Sequence, residues 1–189
     1  MEIVLKIGLV LSGGKSSRMG KDKSAMKVGK ETMLEHSINM LNSVNLDNVV
    51  VSGADFDIPD LFPNKGPVGG IYSAVQHLSL STGDIILVIP NDMPLLRPDL
   101  LQRLMQQSVI HQCTFTYKNH PMPLSLFISE GILERLQSLK NSTGMSIRYL
   151  IQADKVEELS VESQDVFSNV NTPQELDEAV QNYRKMCSQ

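Results

Sequence analysis

Three short apolar runs, each followed by a helical pattern, constrain the fold of this chain more than any other sequence feature. They cover residues 7–11, 49–51 and 85–89. The third run is continuously apolar and lies between Gly83 and Pro90, which is typical of a strand covered on both faces. Strands that alternate with helices indicate a mainly parallel sheet with helices packed on it. We therefore expect an α/β protein with a three-layer αβα, Rossmann-like fold, whose ligands bind at the carboxyl ends of the strands.

Capping, proline and turn patterns predict the helices and strands in the rest of the chain. Thr32 and Glu35 have the spacing of a capping box at a helix start, and Pro98 and Pro173 suit the first position of a helix. Turn residues around His120 indicate two antiparallel strands within residues 111–128, so the sheet should be mixed. The first strand is expected over residues 3–11, helices over 66–80, 130–140 and 144–153, and short strands near 156–160 and 165–168.

Composition narrows the class of protein. The chain has 189 residues, 41% of them hydrophobic, and we interpret residues 1–189 as one domain. The formal net charge of −4 gives no support to nucleic-acid or membrane binding. Residues 1–30 nevertheless carry a net charge of +5, which leaves −9 on the remainder and indicates a local anion site. Two distant cysteines and the lack of an apolar run of about 18 residues predict a cytoplasmic protein with no membrane span.

A loop rich in glycine, hydroxyl residues and cations follows the first strand. It includes Ser12, Gly13, Gly14, Arg18 and Lys23. The backbone N–H groups of such a loop can lie against phosphates, and the two cations can neutralise phosphate charge. The glycine spacing matches neither a P-loop nor a dinucleotide-binding fingerprint. We predict a nucleotide phosphate site here, and a solvated basic loop is the alternative.

Asn91 and Asp92 directly follow the apolar run at residues 85–89. A carboxylate in this position would face the phosphate loop, and a hard oxygen donor that shares its ion with substrate phosphates suits Mg²⁺. We therefore predict that Asp92 is a Mg²⁺ ligand. Capping of the following helix is the alternative role, but that helix is expected to start near Pro98, too far downstream for Asp92 to cap it.

Four segments, in order along the chain, together resemble the molybdenum cofactor guanylyltransferase family of nucleotidyltransferases. They are the loop from Leu11 to Lys23, the segment from Asp60 to Ile71 with Gly66 and Gly69, the run Asn91-Asp92-Met93-Pro94, and the run Phe167-Ser168-Asn169-Val170-Asn171-Thr172-Pro173. One residue departs from the family pattern, since Ser12 replaces the usual alanine. The position of Asn91 holds cysteine or asparagine in the family, with cysteine in many members.

The resemblance implies a nucleotidyltransferase fold and the transfer of GMP from GTP to Mo-bearing molybdopterin, with release of pyrophosphate. Asp92 would hold Mg²⁺, and Arg18 and Lys23 would stabilise the triphosphate and the departing pyrophosphate. Asp60 would contact the nucleotide, with Asp55 and Asp57 as alternatives because the length of this loop varies. The full set of implied contacts is Leu11, Ser12, Gly13, Gly14, Lys23, Ser52, Asp60, Gly66, Gly69, Asp92, Asn169 and Asn171.

The resemblance is less specific about the binding site of the second substrate. The resemblance puts the pterin side near His120 and Arg148, and it implies partner proteins that deliver molybdopterin or receive the product as molybdoenzymes. Asn169 and Asn171 would form a wall of this pocket, although turn and cap hydrogen bonds are an alternative role for both.

Other functions remain as alternatives. Relatives that transfer cytidylyl groups usually carry A-A-G where this chain has Ser12-Gly13-Gly14, and a second glycine leaves more room for a purine. Nucleotidyltransferases acting on sugar or alditol phosphates share the first loop but would not be expected to have the run from Asn169 to Pro173. A nucleotide-binding module without catalysis would lack the Asp92 carboxylate.

Overall fold

The computed structural model of the chain describes residues 4–12 and 27–187. Two sets of elements make up this part of the chain. The strands are β1 (Lys6–Leu11), β2 (Lys27–Val28), β3 (Glu31–Thr32), β4 (Asn48–Ser52), β5 (Ile85–Pro90), β6 (Thr114–Tyr117), β7 (His120–Phe127) and β8 (Val156–Leu159). The helices are α1 (Met33–Asn42), α2 (Gly66–His77), α3 (Pro98–His111), α4 (Glu130–Ser138), α5 (Ile147–Ile151) and α6 (Pro173–Cys187).

Six of the strands form one sheet in the order β4-β1-β5-β7-β6-β8. β1 pairs in parallel with β4 and β5, and β6 pairs in parallel with β8. β7 is antiparallel to both of its neighbours, β5 and β6. The sheet is therefore mixed and mainly parallel, which confirms the predicted fold class, and the antiparallel excursion falls where the sequence predicts it.

Helices cover both faces of this sheet. Alternate residues of a strand point to opposite faces, and β5 shows the consequence. Ile86 and Val88 pack in a cluster with α2, α4 and α5, whereas Ile85, Leu87 and Ile89 pack in a second cluster with α1 and α3. None of these five side chains is more than 1% exposed. The continuous apolar run of β5 thus reflects burial on both sides, and the fold has three layers.

Local sequence signals set the starts of the predicted helices. At α1, the Thr32 Oγ1 accepts a hydrogen bond from the Glu35 N–H, and the Glu35 carboxylate accepts one from the Thr32 N–H at 2.8 Å. Thr172 and Glu175 make the same reciprocal pair at the start of α6. Pro98 is the first residue of α3. The capping box and both proline positions predicted from the sequence are therefore confirmed.

The strand predicted near residues 165–168 is wrong. This segment contains a 3-10 helix, Asp165–Phe167, closed by hydrogen bonds from the N–H groups of Phe167 and Ser168 to the preceding turn. Val166 and Phe167 are consecutive and both buried, which an exposed strand edge would not achieve. The Phe167 ring instead packs against Tyr117 and His120, with centroids 4.9 Å and 4.6 Å away.

Other predicted elements are correct in kind but too long. β1 begins at Lys6, because the preceding N–H of Leu5 donates to the Asp84 carboxylate instead of joining the strand. α2 ends at His77 and the chain then turns at Ser79, which has a φ of 52°. The predicted helices over residues 130–140 and 144–153 are α4, followed by a 3-10 turn at Leu139–Asn141, and the short α5. No helix in the described ranges is long and apolar enough to cross a membrane.

Candidate active site

The carboxyl ends of β4, β1 and β5 meet at one edge of the sheet, and hydrogen bonds join their last residues. The Ser12 N–H donates to the Ser52 carbonyl oxygen at 3.0 Å, and the Asn91 N–H donates to the Leu11 carbonyl oxygen at 3.3 Å. The Asn91 side-chain amide also donates to the Ser12 Oγ at 3.2 Å. Leu11, Ser12, Ser52 and the residue preceding Asp92, four positions scattered along the sequence, therefore lie together at this edge.

Helix α2 packs closely against this edge. A Cβ atom on Gly70 would lie 2.8 Å from both the Leu11 Cδ2 and the Ser52 Oγ, so no larger residue fits without a shift. Of the two predicted contact glycines, Gly66 begins α2 with a φ of 66° and has open space around it. Gly69 is buried, and a Cβ there would lie 3.3 Å from the Phe62 carbonyl oxygen. Gly66 is thus accessible for backbone contact, whereas Gly69 serves the packing of the helix.

The loop between β4 and α2 separates the three aspartates that the sequence left as alternatives. Asp57 accepts a hydrogen bond from the Val51 N–H at 3.0 Å and so supports the outer edge of β4. Asp55 is exposed. Asp60 is partly buried, and this burial raises the pKa of its carboxyl above the usual value. Among these three aspartates, Asp60 is therefore the one whose carboxylate charge is disfavoured by burial.

The run near the carboxyl end of the chain lies against the segment that follows β5. The Val170 N–H donates to the Asp92 carbonyl oxygen at 2.8 Å. The Val170 side chain is 1% exposed and packs with Met33 and Leu176. Asn169 and Asn171 flank this buried anchor and are exposed. The structure therefore brings both predicted asparagines next to the predicted metal residue.

The backbone of Asn171 also has a structural role. Its N–H donates to the Glu175 carboxylate at 2.6 Å, in the cap of α6. The alternative role of a cap hydrogen bond is thus realised by the Asn171 backbone, and its side chain is exposed beside Val170.

The residues predicted at the pterin side gather near the same edge of the sheet. β6 runs in the same direction as β5, so the β6–β7 turn and His120 lie at the carboxyl edge. The His120 ring packs against Phe167 in a tilted arrangement, and its Nε2 lies 2.5 Å from the Gln164 Oε1. Arg148 reaches this turn and donates to the Asn119 carbonyl oxygen at 3.1 Å. His120 and Arg148 therefore flank one turn, although the sequence separates them.

One further residue touches the segment after Asp92. The His36 Nε2 lies 3.2 Å from the Pro94 carbonyl oxygen, and its Nδ1 lies 3.7 Å from the Glu31 carboxylate. In the sequence, His36 fits only the pattern of a helical residue, and this pattern does not predict a contact with Pro94. His36 links α1 and the β2–β3 hairpin to the chain beyond β5.

Part of the predicted site lies outside the described residues. Gly13, Gly14, Arg18 and Lys23 belong to this part, so their roles stay predictions. Within the described ranges, no group of three or more His, Cys, Asp or Glu side chains is arranged to hold a metal ion.

Comparisons of sequence and of structure both match this chain to nucleotidyltransferases. A family model described as the MobA-like NTP transferase domain matches residues 8–159. The molybdenum cofactor guanylyltransferase of Xanthomonas euvesicatoria pv. vesicatoria is 32% identical over 176 residues, which cover 89% of this chain and 90% of the relative. The crystal structure of molybdopterin-guanine dinucleotide biosynthesis protein A from Archaeoglobus fulgidus has a TM-score of 0.73 at 21% identity, covering 96% of this chain and 100% of that one. The 2-C-methyl-D-erythritol 4-phosphate cytidylyltransferase of Thermus thermophilus has a TM-score of 0.63 at 14% identity, covering 97% and 100%.

The match to an NTP transferase domain assigns this mainly parallel sheet, with its polar residues at the ends of β4, β1 and β5, to an enzyme of the nucleotidyltransferase class. The family match and the relatives narrow this class further. The chain belongs to the MobA-like NTP transferase family.

Proposed function

We propose that this chain is a molybdenum cofactor guanylyltransferase, which transfers GMP from GTP to Mo-bearing molybdopterin. The product is the molybdopterin guanine dinucleotide cofactor, and pyrophosphate leaves. The observation that carries the proposal is the 2.8 Å hydrogen bond from the Val170 N–H to the Asp92 carbonyl oxygen. It joins the candidate metal residue to the run from Phe167 to Pro173, a motif that nucleotidyltransferases acting on sugar or alditol phosphates are not expected to have. The names of the relatives support the same activity.

The nucleotide would bind along the carboxyl edge of β1, β4 and β5. Leu11 and Ser12 lead into the phosphate loop, where Gly13 and Gly14 would donate backbone hydrogen bonds to the phosphates. Ser52 lies beside Ser12 at the end of β4. Gly66, with open space around it, would accept the close approach of the base or ribose. Asp60 is the aspartate of the β4–α2 loop that best suits a polar contact to the nucleotide, because Asp57 is engaged with the strand.

Asp92 would hold a divalent metal ion, and we propose Mg²⁺. The donor chemistry fits this ion, since a hard carboxylate oxygen stands at the end of β5 beside the start of the phosphate loop, and Mg²⁺ is commonly held by one or two carboxylates together with substrate phosphates. When bound, the ion would neutralise phosphate charge and orient the triphosphate.

The reaction needs no protein nucleophile. A terminal phosphate oxygen of molybdopterin attacks the α-phosphorus of GTP in line, and the bond from this phosphorus to the oxygen that bridges it to the β-phosphorus breaks, so pyrophosphate leaves. Catalysis of such a transfer is mainly positioning and stabilisation of charge. Arg18 and Lys23 would stabilise the triphosphate and the departing pyrophosphate.

The second substrate would lie on the side of the site formed by the carboxyl-terminal run. Asn169 and Asn171 are exposed on either side of Val170, and we propose that they face polar groups of the pterin. His120 and Arg148 would extend this side along the edge of the sheet. The further proposals are that residues 1–189 act as one domain in the cytoplasm, and that partner proteins deliver molybdopterin or receive the product.

A titration with nucleotides tests the base preference of the proposed site. GTP, CTP, ATP and UTP, each with Mg²⁺, are added to the purified protein and the melting temperature is measured. Stabilisation by a ligand follows RT ln(1 + [L]/Kd), so a nucleotide at about 100 times its Kd should add about 2.7 kcal/mol. GTP should give the largest shift. A shift with CTP that equals or exceeds the GTP shift would favour the cytidylyltransferase alternative.

A further inference from the structure

We propose that Ser12 and Asn91 act as a pair of positioning residues that fixes the segment of Asp92 to the end of β1. The inference rests on the proposed function of Asp92. It assigns a role to Asn91, which touches neither substrate nor metal in the account above.

The pairing of β1 and β5 ends at Leu11 and Pro90, which lie opposite each other in the register. In a parallel pair, the carbonyl oxygen of one residue accepts from the residue that follows its opposite partner, so the bond opposite Leu11 comes from Asn91. Asn91 therefore makes the last ladder bond between the two strands. Its backbone N–H donates to the Leu11 carbonyl oxygen at 3.3 Å, and its side-chain amide donates to the Ser12 Oγ at 3.2 Å.

These bonds lie at the last residues before the two parts of the proposed catalytic site. Ser12 directly precedes Gly13 at the start of the phosphate loop, and Asn91 directly precedes Asp92. Ser12 is also held from the other side, because its N–H donates to the Ser52 carbonyl oxygen at 3.0 Å. The hydroxyl of Ser12 therefore connects the metal-binding segment to a residue that is itself fixed to β4.

The side-chain bond needs both residues. Alanine at position 12 has no acceptor oxygen, and cysteine at position 91 has no amide to donate. Two residues that lie 79 positions apart in the sequence thus form one contact in the fold. Substitution of either residue removes that contact, and substitution of the second then has little left to remove.

A double-mutant cycle tests this coupling. The four proteins are the parent chain, Ser12→Ala, Asn91→Cys and the double variant. GTP affinity is measured by calorimetry with Mg²⁺ and again with EDTA, and the ratio of the two affinities reports binding that depends on the metal. Turnover with GTP and molybdopterin is measured as a second readout.

Each single variant should lower the affinity ratio about two- to tenfold, the range for loss of one uncharged hydrogen bond. The affinity ratio of the double variant should be no lower than that of the single variant with the lower ratio. Ser138→Ala is the matched control, because it removes a serine hydroxyl that donates to the Arg135 carbonyl oxygen on the distant α4, and its ratio should equal that of the parent chain.

Two results would overturn the pairing. One is a double variant whose loss is the product of the two single losses. The other is a fall in the free energy of unfolding with an unchanged affinity ratio, which would make the contact purely structural. Asp92→Asn, measured in parallel, tests the proposed metal-binding role of Asp92 separately from the pairing of Ser12 and Asn91. Near-parent turnover in Asp92→Asn would refute the role of Asp92 itself, whereas loss of turnover there without coupling in the cycle would refute the pairing alone.

Discussion

The backbone N–H of Val170 donates a hydrogen bond to the carbonyl oxygen of Asp92 at 2.8 Å. Because both partners are main-chain groups, the bond fixes the path of the chain and does not depend on which side chains flank it. The buried Val170 side chain, packed with Met33 and Leu176, keeps the donor in place. The position of the candidate metal residue thus depends on packing of α1 and α6, two elements outside the nucleotide side of the site.

Val170→Ala should weaken this arrangement. The substitution removes about two methyl-sized groups from a fully buried position, so the free energy of unfolding should fall by about 2 kcal/mol, and turnover should fall because the Asp92 segment loses its support. Urea unfolding and a turnover assay check the two effects. Val109→Ala is the matched control, since Val109 is 47% exposed and its loss should cost at most about 0.5 kcal/mol. Equal stability of the two variants would contradict the anchoring role.

Asp92→Asn should abolish most turnover at saturating Mg²⁺ while the fold and weak nucleotide binding persist. The amide keeps the shape of the carboxylate but removes the charge that a divalent cation requires. Asp99→Asn, which changes an exposed aspartate paired with Arg97 at the start of α3, should leave turnover unchanged. If Asp92→Asn retains near-normal turnover, Asp22 or Asp60 becomes the leading candidate for the metal residue.

Lys23→Ala should raise the barrier of the transfer step by about 2–4 kcal/mol, the range for removal of one preorganised group that stabilises charge in the transition state. Lys30→Ala, an exposed lysine beyond the loop, should have almost no effect. The comparison of kcat/KM for the two variants is decisive, because similar losses would mean that the cationic stretch acts as a diffuse basic surface.

Asp60→Asn should stabilise the protein at neutral pH and weaken GTP binding. Burial raises the pKa of the Asp60 carboxyl in the folded chain, so folding is favoured below the pKa of the unfolded chain and this stability is lost as pH rises through the folded pKa. An amide carries no such cost. The gain in the free energy of unfolding should therefore be present at pH 7 and absent at about pH 3. Asp55→Asn, an exposed site in the same loop, should show no gain at pH 7.

Loss of GTP binding in the stabilised Asp60→Asn variant would mark a group kept for function at the expense of stability. A stabilised variant with unchanged GTP affinity would instead exclude Asp60 as a nucleotide contact.

Sequence patterns anticipated the fold well where local and global preferences agree. The run in β5 is apolar because both of its faces are covered, and Thr32 with Glu35 caps α1 through contacts within one turn. The strand predicted near residues 165–168 is wrong because an apolar pattern shows that residues are buried but not which elements bury them. Val166 and Phe167 are both buried, and the Phe167 ring packs against aromatic rings of β6 and β7, contacts that no local pattern encodes.

The candidate site was anticipated in its residue types but not in its connections. Asp92 and the run containing Asn169 carry recognisable motifs, and the nucleotidyltransferase class and the molybdenum cofactor activity predicted from them agree with the family and the names of its relatives. The main-chain bond between Val170 and Asp92 has no sequence signal, because any residue other than proline supplies the donor. The bond between Asn91 and Ser12 likewise joins positions that only the parallel pairing of β1 and β5 brings together.

The most direct test of the account is the identity of the nucleotide that is transferred. The protein is incubated with Mg²⁺, Mo-bearing molybdopterin and equal concentrations of GTP and CTP in one reaction, and the dinucleotide product is isolated and hydrolysed to identify its base. The account predicts that the product releases GMP in large excess over CMP, with pyrophosphate formed in equal amount to the dinucleotide. A product that releases mainly CMP, or nucleotide binding without any dinucleotide formed, would contradict it.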